Sequence, residues 1–311
     1  MSKRTIILAV LIVFLLILSL GLSACKPQPP VTEIPLPQET TQVPELIISI
    51  PTATAEPTAT QIPAAALVNG EPIPLTYYQN EVLRYKDGWD PKQPLPDEPV
   101  LQTNVLTFLI DQQLLAQAAY KDGFNFAEAD LQAKIDNLTQ QLPEGSSLTA
   151  WQQANHFDDA EFRMALTLAA AAAYQRDVII SAVPEAMEQV RARQIFARTE
   201  DGAKRALADL NAGKAFEEIA WIYSPETGGE LGWFPRGYLL FPQVEEVAFT
   251  LKEGEVSQIV QSDIGYHIIL VMAHEASHPL TTDARLALQR TALDQWLENA
   301  RASSEIMITQ P

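Results

Sequence analysis

The sequence predicts an α+β protein in which a small domain of mixed helices and strands is inserted into a helical module. Three observations predict it. Apolar residues recur at helical spacing on both sides of the middle of the chain, at Leu131, Ile135, Leu138 and Leu142 and again at Leu286, Leu293 and Leu297. Residues 187–277 instead alternate short apolar runs with glycine-containing turns, the pattern of strands joined to short helices. Ahead of both, an apolar leader passes into a proline-rich stretch that suits neither helix nor strand.

The leader comes first. Lys3 and Arg4 precede a nearly unbroken apolar run from Ile6 to Leu22, and Ser23 and Ala24 follow, just before Cys25. A charged start, an apolar centre and small residues at the end make residues 1–24 an export signal, short for a membrane span of about 20 residues. The signal is either cleaved or retained as an anchor, and both put the rest of the chain outside the cytoplasm. Cys25 is the only cysteine, so no internal disulfide forms. Residues 25–64 form a linker rich in Pro and Thr, with nine prolines. Each proline fixes φ and removes an amide donor, which favours an extended tether.

Residues 65–186 read as a helical domain. Leu67 to Ile73 suggests a short strand and an Asn69-Gly70 turn. Thr76 with Gln79 three residues on reads as a capping box for a helix from near Tyr77 to Gly88. Over 99–122, Val105, Phe108, Leu109, Leu115, Ala116 and Ala119 share one face, and Gly123 stops the helix. The stripe from Leu131 to Leu142 ends at Pro143 and Gly145. Asp158 and Glu161 cap a further helix that runs through an alanine-rich stretch to about Ile180. Residues 278–311 hold a last amphipathic helix, 282–302, with Leu286, Leu293, Trp296, Leu297 and Ala300 on one side. It cannot bury that stripe alone, so it is expected to pack on the preceding helices.

In the middle, a strand from Val190 to Ala197 precedes helices at 201–211 and 216–223 and a helical turn at 242–249. Gly265 to Val271 is an apolar closing strand. Net charge is −18, which excludes nucleic acid, whose phosphates need Lys and Arg. His274 and His278 lack the ligand partners a metal needs, and no phosphate-cradling glycine loop occurs, so neither metal nor cofactor is expected.

The central residues carry a resemblance. Ala215–Ala220, Tyr223-Ser224, Gly228–Phe234, Phe249–Leu251, Gly254–Ser257 and Gly265–Ile269 together resemble the parvulin, or PpiC-type, peptidyl-prolyl isomerases over 187–277. A parvulin-like domain inserted between helical segments is similar to the PrsA and SurA class of foldases, in which the flanking helices form one client-binding module. Leu22-Ser23-Ala24-Cys25 resembles the lipobox of bacterial lipoproteins, which implies lipidation of Cys25 and attachment to the outer face of the cell membrane.

The resemblance implies a site. His267 matches the second histidine of the family's pair, and Gln194 stands where the first would be. Ser262 takes the place of a small hydroxyl residue, and Glu226 is the candidate carboxylate for the rim. Leu240 and Val244 correspond to the methionine and phenylalanine of the proline pocket, with Phe249 and Trp233 as further apolar lining or core. The resemblance implies an extracytoplasmic isomerase and foldase whose partners are unfolded exported chains with X-Pro bonds. The broken histidine pair and the small Val244 favour an alternative, a weakly active or inactive holdase.

Overall fold

The computed structural model of the chain describes residues 63–309. The expected leader, Cys25 and the proline-rich stretch as far as residue 62 lie outside the described residues. The described chain divides into two compact units, one of residues 63–110, 131–166 and 305–309, the other of residues 111–130 and 167–304.

The first unit opens with a hairpin of β1 (Ala64–Val68) and β2 (Glu71–Pro74). Asn69 and Gly70 both have positive φ, 52° and 83°, as the right-handed twist of the strands requires of a two-residue turn. Helix α1 (Leu75–Gly88) follows directly. It starts before the expected Tyr77, and no side chain caps it. The amide of Leu75, the first residue of the helix, donates to the carbonyl of Pro63, just ahead of β1. Helices α2 (Glu98–Lys121), α3 (Glu128–Gln140), α4 (Leu148–Ala154) and α5 (Asp159–Ser181) come next. Helix α4 has no counterpart in the sequence reading; Ser147 caps it by accepting from the Ala150 amide. Leu101, Val105, Leu109, Leu131, Ile135, Phe162 and Leu166 are buried in this unit, while Phe108 is exposed. Arg84 ties α1 to α5. It pairs with Glu81 at 2.7 Å and Glu161 at 3.1 Å and lies 3.8 Å above the centre of the Phe157 ring.

In the second unit Gly123, with φ 88°, ends α2. The Phe124 amide reaches back to the Ala119 carbonyl at 2.9 Å, closing a Schellman turn. Ala116, Ala119 and Ala171 pack together with Phe124 and Leu168, the close approach that small side chains permit. The inserted domain runs β3 (Ala186–Ala197), α6 (Glu200–Asn211), α7 (Phe216–Tyr223), β4 (Glu230–Pro235), α8 (Pro242–Thr250), β5 (Val260–Ser262) and β6 (Gly265–Pro279). Its antiparallel sheet has the order β4-β3-β6-β5. Because side chains alternate across a sheet, the domain has two cores. Val190, Ala192, Phe234, Ile269 and Val271 face Val244, Ala248 and Phe249 of α8. Ile195 and Ile268 face Ala206 of α6 and Phe216, Ile219 and Ala220 of α7. Strand β6 continues well past the expected Val271. Its last residues are largely exposed, so apolar alternation gives no sign of them, yet they pair with β3 as far as Ala186.

Helix α9 (Thr282–Ser303) is capped by Thr281. Arg301 grips Asp111 of α2 through two hydrogen bonds of 2.6 and 2.7 Å, and Gln289 donates to the Ile180 carbonyl. Leu286, expected on the packed side, is exposed. The last strand, β7 (Ile306–Ile308), belongs to the first unit, where it pairs with β1 in the order β2-β1-β7.

Candidate active site

Three strands bring three polar side chains into one row. Gln194 lies on β3, His267 on the neighbouring β6 and Ser262 on β5. The amide oxygen of Gln194 accepts only, so Nδ1 of His267 carries the proton and donates to it at 2.8 Å. The other ring nitrogen, Nε2, is then an acceptor, and the Ser262 hydroxyl donates a hydrogen bond to it at 2.7 Å. His267 is 1% exposed. Burial disfavours the charged ring and pushes its pKa below the usual 6.5, which keeps this single neutral tautomer.

The shift has a consequence for stability. On acidification the unfolded chain takes up a proton at His267 near 6.5, before the folded chain does. This part of the stability is therefore complete above 6.5 and is lost as pH falls below it toward the folded pKa. Thermal midpoints followed from about pH 8 to about pH 5 should decline for the wild type. His267→Gln should lose that component of the slope; identical slopes in both proteins would contradict it.

Two aromatic rings border the row. Phe196, two residues from Gln194 on the same face of β3, lies 5.0 Å from the His267 ring, and Phe241 lies 5.7 Å from it. The loop before β4 lies against the row from the backbone side. The amide of Gln194 donates to the Gly229 carbonyl at 2.8 Å. A Cβ on Gly229, whose φ is 72°, would lie 1.8 Å from the Gln194 carbonyl oxygen. Only glycine allows the loop to lie this close.

The structure thus gathers Gln194, Ser262 and His267 in one hydrogen-bonded row; the other sequence candidates are not part of that row, and Val244 and Phe249 belong to the core cluster against which Phe241 packs. Glu226 is exposed on the loop, outside the hydrogen-bonded row. Val244 and Phe249 are buried in the core between α8 and the sheet, because the inner face of a short helix is turned toward the sheet. Trp233 stacks on His278 at 4.0 Å and 16°, facing away from His267. Leu240 is 89% exposed. The ring that reaches His267 is its neighbour Phe241, in an irregular loop where periodicity does not say which residue turns inward. Phe196 was missed as one more apolar residue of a strand; its place two residues after Gln194 was the available signal. Among the described residues no group of three or more His, Cys, Asp or Glu is placed to hold a metal ion.

The chain was compared with known proteins. A family model described as the PPIC-type PPIase domain matches residues 179–273, and one described as the SurA-like N-terminal domain matches residues 54–166. Foldase protein PrsA of Caldanaerobacter subterraneus subsp. tengcongensis is 29% identical over 248 residues, 71% of this chain and 77% of that protein. Foldase protein PrsA of Geobacillus kaustophilus is 41% identical over 92 residues, 28% of this chain and 32% of the relative. Foldase protein PrsA 1 of Bacillus cereus is 31% identical over 127 residues, 39% of this chain and 44% of the relative, so that match spans less than half the relative's length. Residues 179–273 are a parvulin-type peptidyl-prolyl isomerase domain, carried in one chain with a PrsA/SurA-like chaperone module.

Proposed function

We propose that the protein is an extracytoplasmic foldase that binds unfolded exported chains and turns their X-Pro bonds at His267. The row Gln194–His267–Ser262, flanked by Phe196 and Phe241, carries this reading. Rotation about an X-Pro bond breaks no covalent bond; it must pass a barrier of about 18–20 kcal/mol set by amide conjugation. A site therefore accelerates it by binding the twisted amide better than the planar one. Phe196 and Phe241 offer the proline ring an apolar seat that excludes water. Gln194 fixes the tautomer of His267, Ser262 holds its other nitrogen, and the neutral ring presents a fixed dipole to the rotating amide. Glu226 lies further out, where it meets the flanking client residues. The helical domain, 65–186 with 278–311, holds the client while the inserted domain 187–277 acts on its prolines. Lipid on Cys25 and the linker 25–64 keep both at the outer face of the membrane.

The alternative reading is a holdase that turns over slowly. Gln194 in place of a histidine and the exposure of Leu240 favour it. One experiment decides between them. Mature protein is isolated from its host, with the mass of its N-terminus reporting whether Cys25 is the first, lipidated residue. Turnover of an X-Pro peptide is then compared with that of His267→Ala. Loss of the hydrogen-bonded row should slow the variant about ten- to a hundredfold. Wild-type turnover at the uncatalysed rate, with client aggregation still suppressed, would leave only the holdase.

A further inference from the structure

The loop 236–241 between β4 and α8 has no regular secondary structure, yet it ends in the ring that meets His267. One side chain holds it. Glu245, the fourth residue of α8, accepts from three successive backbone amides: Gly237 at 2.6 Å, Tyr238 at 3.0 Å and Leu239 at 3.0 Å. Gly237, with φ 82°, bends the chain so that the three N–H groups converge, a backbone nest whose anion is supplied from within the protein. The main chain of Glu245 adds a fourth link, since its amide donates to the Phe241 carbonyl at 3.2 Å. Both ends of the loop are thus referred to one residue, and Phe241 has little freedom left. An acidic residue in a first helical turn ordinarily needs no more explanation than the helix dipole. Here the carboxylate turns back onto the loop, and hydrogen bonds to a charged acceptor are the stronger kind.

We propose that Glu245 is a positioning residue for the isomerase site: it sets Phe241 beside His267 and thereby determines how firmly the proline ring is gripped. The inference rests on the function proposed above. It assigns no chemistry to Glu245, which acts only through Phe241. A carboxamide cannot replace it, because one of its two groups is a donor and would face amide donors. Aspartate keeps both acceptors on a stem one methylene shorter.

The test uses the full mature chain as wild type, Glu245→Gln and Glu245→Asp. KM and kcat are measured on an X-Pro peptide, Kd for the same peptide by NMR titration, and the thermal midpoint for each protein. Glu245→Gln should raise KM and Kd about five- to tenfold with kcat within about twofold, the pattern of lost uniform binding. Glu245→Asp should recover most of that loss. A role confined to stability would lower the midpoint and leave KM and Kd where they were, and that result overturns the proposal. So does a fall in kcat at constant KM. If the wild type binds the peptide without turning it over, the isomerase reading fails and the Kd series still decides the role of Glu245. If the wild type turns over normally and Glu245→Gln matches it, only the positioning role fails. A wild type that neither binds nor turns over the peptide rejects both.

Discussion

Gly229→Ala is expected to destabilise the second unit by about 3 kcal/mol or more and to remove turnover, although Gly229 offers the client no side chain. The new methyl would lie 1.8 Å from the Gln194 carbonyl oxygen, which is backbone in the middle of a paired strand and cannot swing aside. Relief requires either the loop to lift or β3 to shift, and both break the bond from the Gln194 amide to the Gly229 carbonyl. The left-handed φ adds about 1 kcal/mol. Gly213→Ala isolates that smaller term: its φ is 92°, but nothing lies within 4 Å of the added Cβ. Denaturant unfolding of the two variants, with peptide turnover measured well below the midpoint, checks the expectation. Equal losses at the two glycines would mean that the close approach at Gln194 does not exist.

Arg84→Met should cost the first unit about 3–5 kcal/mol. The Glu161 side chain is only 9% exposed, and the substitution would leave its charge without its cationic partner. Asn80 donates to the other oxygen of Glu161 at 2.8 Å and cannot neutralise it. The stacking of the guanidinium on Phe157 is lost as well. Adding Glu161→Gln to Arg84→Met removes the stranded charge and should recover part of the loss, which a double-mutant cycle measures. Hydrogen exchange in α1 and α5 locates the effect. A single variant as stable as the wild type would show that the ion pair contributes nothing to the unit.

What could be read from the residues, and what could not, divides along physical lines. Asn69-Gly70 specifies its turn locally, and Gly123 specifies the end of α2, so both were legible. Asp158 was too: its carboxylate accepts from the Glu161 amide at 2.7 Å. The start of α1 was misread, because its first amide is satisfied by Pro63, a partner brought near by a hairpin rather than by local sequence. Strand β7 gave no signal at all, since three residues carry no period and their partner lies more than two hundred positions away. Strand register brings together Gln194, Ser262 and His267, the three residues that the family likeness had singled out. Leu240 sits in the irregular loop before α8, where no period says which side chain turns inward, while Val244 and Phe249 lie on the inner face of α8 as core. Phe241 and Glu245 are legible only once that loop has a shape.

The three-stranded sheet of the first unit also constrains the order of assembly. Its middle strand, β1, is among the first described residues, while β7, which covers one edge of it, is among the last. A polypeptide emerging from its N-terminus cannot form this pairing of β1 until residues 306–308 have appeared. The inserted domain spans one uninterrupted stretch, 186–279, and can close as soon as β6 is out. The segment that ripens first is therefore the one with the row of Gln194, His267 and Ser262, and the sheet waits for β7, a contact of very long range.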